Sequence, residues 1–150
     1  MSSLKEILYE ECLHYAESRL KNAEAAMDEA QDSANSETKS TAGDKHDTAR
    51  AMMQLAAEQN AKHLAEARKL QQALKQIDPK SKHSKVEVGC LVETSNGNYY
   101  LSISAGKIEL DGDIYFAISP SAPIAQVLLG AKVGDIRIFN GNSILVKSIS

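Results

Sequence analysis

Tryptophan is absent from this 150-residue chain, phenylalanine occurs twice, and residues 4–77 hold no proline and one glycine, Gly43. The missing Pro and Gly remove the two strongest helix breakers from half of the molecule. The scarcity of aromatics, most of which follow from Tyr99 onward, limits any base-stacking surface. Positive charge is not in excess: 17 Lys and Arg stand against 20 Asp and Glu, a net charge of −3. That balance excludes the basic footprint of a nucleic-acid-binding surface, and no independent DNA binding is expected. Cysteine occurs twice, at Cys12 and Cys90, too few for a disulfide framework and in keeping with a reducing, cytoplasmic setting. No apolar run is long enough to span a bilayer, and Met1-Ser-Ser-Leu-Lys-Glu reads as a helix start, not a secretory signal, so no membrane partner is expected.

What is present over 4–77 is Ala, Glu, Lys, Gln and Leu. Tyr9, Leu13, Ala16, Leu20, Ala23, Met27, Ala30 and Ala34 recur at alternating four- and three-residue spacing, which is a heptad seam. Ala49, Met53, Ala56, Asn60, His63, Ala67, Leu70, Leu74 and Ile77 repeat it, with Asn60 and His63 polar and a competing stripe at Ala57, Ala61 and Leu64. Asn35 to Gly43 is rich in Ser, Thr and Asn and reads as a turn. Two helices of about 30 residues, each roughly 45 Å long, should fold back as an antiparallel coiled-coil hairpin. A hairpin this thin buries little surface, so its base is expected to pack on the rest of the chain. Heptads can also pair between chains; a monomer is favoured over a dimer.

Asp78-Pro79 ends the helical pattern and a polar linker follows. From Val86 the period becomes two: Val86, Val88, Cys90 and Val92; Tyr99, Leu101 and Ile103; Ile114, Phe116 and Ile118; Ile136 and Ile138; Ile144 and Val146. Asn96-Gly97, Asp111-Gly112 and Asn140-Gly141 are hairpin dipeptides between these runs. Ser119 to Pro123 leads into Ile124–Gly130, a short helix stopped by glycine. The expected class is α+β. A helical hairpin covers 1–78, with its tip near 35–47, then a linker 79–85 and a small antiparallel sheet of about five strands with one helix over 86–150.

The tip holds Gly43-Asp44-Lys45-His46-Asp47-Thr48-Ala49-Arg50-Ala51. Asp44 suits an N-cap and Asp47 the N3 position of a capping box, and acids in a first turn complement the helix dipole. The same pair could equally deliver negative charge at the end of a stiff rod. Both readings stay open, since a cap can release its carboxylate when a metal is offered. Neither cysteine has an evident His partner, so a stand-alone thiol enzyme is disfavoured.

Ile118-Ser119-Pro120…Pro123-Ile124-Ala125…Leu128-Leu129-Gly130-Ala131-Lys132-Val133-Gly134-Asp135 resembles the C-terminal domain of bacterial GreA/GreB transcript cleavage factors, with their Ser-Pro-(x)-Ala-Leu-(Ile/Leu)-Gly-Lys-x-Val-Gly-Asp signature. Val88-Gly89-Cys90-Leu91-Val92 is similar to the opening of that domain. The tip is similar to the family's Gly-Asp-Leu-x-Glu-Asn-Ala, with Asp47 where the family prefers Glu, Arg50 where it has Glu and Ala51 where it has Tyr.

The resemblance implies an FKBP-like domain behind a coiled coil that enters the secondary channel of RNA polymerase. It implies no intrinsic cofactor and no enzyme acting alone. Asp44 and Asp47 would help hold a second Mg²⁺ shared with the polymerase and so stimulate cleavage of backtracked RNA near its 3′ end. Lys39 and Arg50 are candidate contacts to polymerase or RNA, against the blander reading of solvated charge. Pro123, Ile124 and Val127 are candidate contacts to the polymerase rim, against core packing. The alternative reading is a non-catalytic occupant of the same channel that blocks or tunes the polymerase.

Overall fold

The computed structural model describes residues 3–39 and 45–150, with the backbone alone for 33–39 and 45–47. Helix α1 is Leu4–Lys39 and helix α2 is Lys45–Lys75. At 1.5 Å per residue the 36 residues of α1 make a rod of about 54 Å. The turn expected from Asn35 is shortened, because residues 35–39 continue α1. Asn, Ser and Thr cost a helix only a few tenths of a kcal/mol each, and a growing helix adds one hydrogen bond per residue.

The chain forms two compact units. One is residues 16–71, the facing parts of α1 and α2. Small side chains line its seam: Ala23 and Ala67 are buried. Neither stripe at the middle of the second helix holds throughout: Leu64 is half-buried where His63 is exposed, but Ala57 and Ala61 of the competing stripe are exposed, as is Ala56 of the seam. Asn60 is half-buried and its amide donates to the Ala26 carbonyl at 3.4 Å. A polar group inside an apolar seam lowers stability but disfavours shifted registers. Asn60→Leu is therefore expected to raise the melting temperature by a few degrees, on the order of 1 kcal/mol, and to let a concentration-dependent dimer appear in analytical ultracentrifugation.

The other unit joins residues 1–15 and 72–150. Its sheet comprises β1 (Leu91–Thr94), β2 (Gly97–Leu101), β3 (Gly106–Leu110), β4 (Asp113–Ile118), β5 (Ile136–Phe139) and β6 (Asn142–Ile149). The short helix α3 is Pro123–Leu128. Strand order is β3-β4-β2-β1-β6-β5. The sheet thus has six strands, not five, and is mixed: β2 and β4 run parallel, and the other neighbours are antiparallel. Composition explains which strand takes the inner slot. β4 reads Asp-Ile-Tyr-Phe-Ala-Ile and is inserted between β2 and β3; β3 exposes Lys107 and Glu109 and is left as an edge, where charge guards against stray pairing.

Both faces of the sheet bury side chains around its centre. On the α3 side Val92, Tyr99, Leu101, Ile144 and Val146 meet Ala125, Leu128 and Ala131. On the opposite side Tyr100, Tyr115, Ala117 and Ile108 are also buried. The helix ends supply Leu8, Cys12 and Leu74, each fully buried, and Cys12 Sγ lies 3.4 Å from Ser102 Oγ. The Tyr9 hydroxyl donates to the Leu74 carbonyl at 2.9 Å, and the Lys5 ammonium donates to the Ser81 carbonyl. Burial pushes the Lys5 pKa down and those of the Cys12 and Cys90 thiols and the Tyr100 hydroxyl up. The base of the first helix therefore carries a second stripe, Lys5, Leu8 and Cys12, beside the heptad seam.

Two alternations differ in phase or extent from the expectation. In β4 the buried residues are Tyr115 and Ala117, while Ile114 and Phe116 are exposed. The run from Val86 is not a continuous strand: Gly89 adopts φ +93° and turns the chain, the Cys90 amide bonds the Glu87 carbonyl, and β1 begins only at Leu91. An ideal Cβ on Gly89 would sit at ordinary contact distance, 3.4 Å from Ile77 and 3.5 Å from the His83 ring, so it is the left-handed turn that calls for glycine.

His83 Nδ1 and a Glu87 carboxylate oxygen are 2.6 Å apart across this turn, with Lys85 4.0 Å from the second oxygen. Hydrogen bonding from His83 holds the Glu87 carboxyl below the usual carboxylate range. A depressed folded-state pKa adds stability above the unfolded value of about 4.3 and loses it as pH falls through the folded value. The difference in melting temperature between the native chain and Glu87→Gln should thus be present at pH 6, begin to shrink below about pH 4.3, and vanish only once the pH lies below the lowered folded value.

Candidate functional site

Helix α2 begins at Lys45, so Asp47 is its third residue and lies in the first turn, as the spacing predicted for a capping-box acid. Asp44 and the side chains of Asp47 and Lys39 lie outside the described residues. Lys39 is the last residue of α1. Arg50 is exposed on α2 and engaged in an interaction within the molecule. The α2 backbone thus carries Asp47 and Arg50 three residues apart, close to one helix face. Carboxylates are hard oxygen donors of the kind Mg²⁺ takes, and one or two of them suffice when a phosphate completes the shell. Among the described residues no group of three or more His, Cys, Asp or Glu side chains is placed to hold a metal ion. No helix among them is long and apolar enough to cross a membrane.

The signature stretch has a structural account of its own. Ser119 Oγ and Ser121 Oγ are 2.6 Å apart, the Ser121 backbone amide donates to Ser119 Oγ, and the Gln126 side-chain Nε2 donates to the Pro120 carbonyl at 2.7 Å. These bonds close the loop that feeds α3. Pro123 stands at the start of α3, where its missing N–H costs nothing. It is exposed, whereas Ile124 packs against the core and Val127 is half-buried. Of the three proposed rim contacts, Pro123 alone is fully presented to solvent. After α3 the Gly130 amide bonds the Val86 carbonyl, and the Val86 amide bonds the Ala131 carbonyl. The Asp135 carboxylate accepts from the Lys132 amide at 2.9 Å, and Gly134, at φ +93°, donates to the Val146 carbonyl. Lys-Val-Gly-Asp is therefore the turn that delivers the chain from α3 into β5.

Sequence reasoning missed one surface. Val133, Ile136 and Ile138 are 58%, 64% and 70% exposed, and Leu145, opposite Ile136, is 40% exposed. Alternation marks one face of a strand as apolar without saying whether anything covers it.

No protein-family model and no curated protein sequence matches this chain. Among solved structures it is similar to the GreA factor homologue 1 (Gfh1) protein of Thermus thermophilus, with 18% identity over 95% of this chain and 94% of that one and a TM-score of 0.34. It is also similar to a structure of the transcription factor Gfh1, with 17% identity over 94% and 92% of the two chains and a TM-score of 0.34.

Proposed function

We propose that this chain is a transcription elongation factor of the GreA/GreB type. It binds RNA polymerase, carries the connection between α1 and α2 into the secondary channel, and stimulates cleavage of backtracked RNA without being an enzyme by itself. The observation that carries the reading is the order of parts. A signature-like stretch from Ile118 to Asp135 runs from the last residue of β4 through α3 to the turn into β5 of a compact sheet, and two long helices joined at an acid-bearing connection precede it. Asp44 and Asp47 would offer oxygen ligands to Mg²⁺ at the polymerase centre, where a second metal stabilises the attacking and leaving oxygens of an in-line displacement.

The second reading, a non-catalytic occupant of the channel, is favoured by the tip itself. Asp47 has a side chain one methylene shorter than the family's Glu, and Arg50 puts a cation where the family carries an acid. A cleavage assay on stalled, backtracked complexes separates the two. Shortening of the RNA on addition of the chain supports the first reading. Binding to polymerase core with no shortening supports the second, and failure to retain polymerase core in a pull-down overturns both.

A further inference from the structure

We propose that the outer edge of β5 is a docking strand for an extended segment of a protein partner in which an acidic residue is flanked by apolar ones. The inference does not depend on the function proposed above.

The hydrogen-bond pattern shows which backbone groups face outward. Asn140 and Gly141 both have positive φ, 50° and 79°, so Phe139 and Asn142 close a two-residue type I′ hairpin as a hydrogen-bonded pair. Such pairs alternate along an antiparallel ladder, so Arg137↔Ile144 is bonded, while Ile138↔Ser143 and Ile136↔Leu145 are not. Two bonds agree with this phase: the Val146 amide donates to the Asp135 carbonyl, and the Leu145 amide turns away from β5 to Ser95 Oγ. The amides and carbonyls of Ile136 and Ile138 therefore point off the sheet, where β5 is the last strand.

The opposite edge, β3, is guarded by Lys107 and Glu109; β5 presents exposed Ile136 and Ile138 instead. An unguarded apolar edge is a template for strand addition. The chemistry of the incoming strand follows from the two faces. Its residues opposite Ile136 and Ile138 meet apolar side chains. The residue opposite Arg137 meets a guanidinium whose buried Nε has no hydrogen-bond partner. A buried donor without an acceptor is costly, and a carboxylate is the natural complement of guanidinium. A second copy of this chain fits poorly: antiparallel self-pairing centred on Arg137 would set Arg137 against its own copy, and like charges directly opposite are unfavourable. Four residues also bury far less than the roughly 1,200 Å² of a stable dimer.

The test uses the full chain and two labelled octapeptides, one alternating Val with Glu and one alternating Val with Lys. Fluorescence anisotropy is expected to show the Glu peptide binding at least ten times more tightly than the Lys peptide. Amide exchange should slow at Ile136 and Ile138. Arg137→Gln should remove the preference between peptides, and Ile138→Pro, which deletes an outward amide without touching the β6 ladder, should weaken the Glu peptide at least tenfold. Ile138→Lys, a surface change that leaves the backbone intact, should weaken it likewise. Equal binding of the two peptides, no slowing at the two Ile amides, or dimerisation of the chain through this edge in analytical ultracentrifugation would each overturn the proposal.

Discussion

Replacing Asp44 or Asp47 with Ala is expected to reduce stimulated RNA cleavage on the order of 100-fold or more, the usual loss when a preorganised charge at a developing transition state is removed. Polymerase binding should persist, because in the proposed arrangement the acids act at the far active centre. The competing account is that both acids serve α2: loss of an N-cap side chain to Ala costs about 1 kcal/mol of helix stability. Asp44→Asn distinguishes them. Asn caps a helix as well as Asp does, yet it has no carboxylate to give to a metal. Under the proposed function Asp44→Asn loses cleavage while its melting curve and far-ultraviolet circular dichroism match the native chain. If Asp44→Asn cleaves normally and Asp44→Ala does not, the residue is a cap and no more.

The second large effect concerns the helix base. Leu8 is fully buried in the unit that contains the sheet, and Leu13, on the heptad seam, is half-buried. Leu8→Ala should cost about 3 kcal/mol, the removed methyl groups leaving a cavity whose walls are themselves packed. For a chain of this size that is a fall in melting temperature of roughly 6–12 °C. Leu13→Ala should cost about 1 kcal/mol, because partial exposure means less area returned to water. Differential scanning calorimetry on both variants checks the order. A larger loss for Leu13→Ala would mean that the heptad seam, and not the stripe through Leu8 and Cys12, holds the first helix.

That comparison marks where periodicity stops being informative. Tyr9, Leu13, Leu20 and Ala23 are visible as a seam because a helix with one partner needs one stripe. Leu8 and Cys12 belong to a second stripe, legible only once it is known that the same helix also meets a sheet. The polar position Asn60 was visible as an interruption. Its partner, the Ala26 carbonyl 34 residues away, was not, because a backbone acceptor has no side-chain identity to read. The inward phase of β4 is not legible for a related reason: Ile114 and Phe116 are as apolar as Tyr115 and Ala117 together, and alternation carries no sign. Of the candidate site, Asp47 falls in the first turn of α2 as its spacing predicted, and Pro123 is exposed at the start of α3; Ile124 is drawn into the core because the face of a six-residue helix is set by what it packs on.

What this sequence determined unaided is everything that local chemistry decides. Good helix formers at heptad spacing with no Pro and one Gly favour the two long helices, Asp78-Pro79 bars their continuation, and Asp111-Gly112 and Asn140-Gly141 reverse strands, because these residues act through their own φ, ψ and missing donors; Asn96-Gly97 falls one residue off, the reversal lying at Ser95-Asn96 with Gly97 opening β2. The tertiary structure alone decided that β4 runs parallel to β2 inside β3, that the centre of the sheet buries side chains on both faces, and that β5 is left bare. Those outcomes depend on which apolar surfaces compete for the same partner, and burial is a property of the whole packed chain, not of any residue in it.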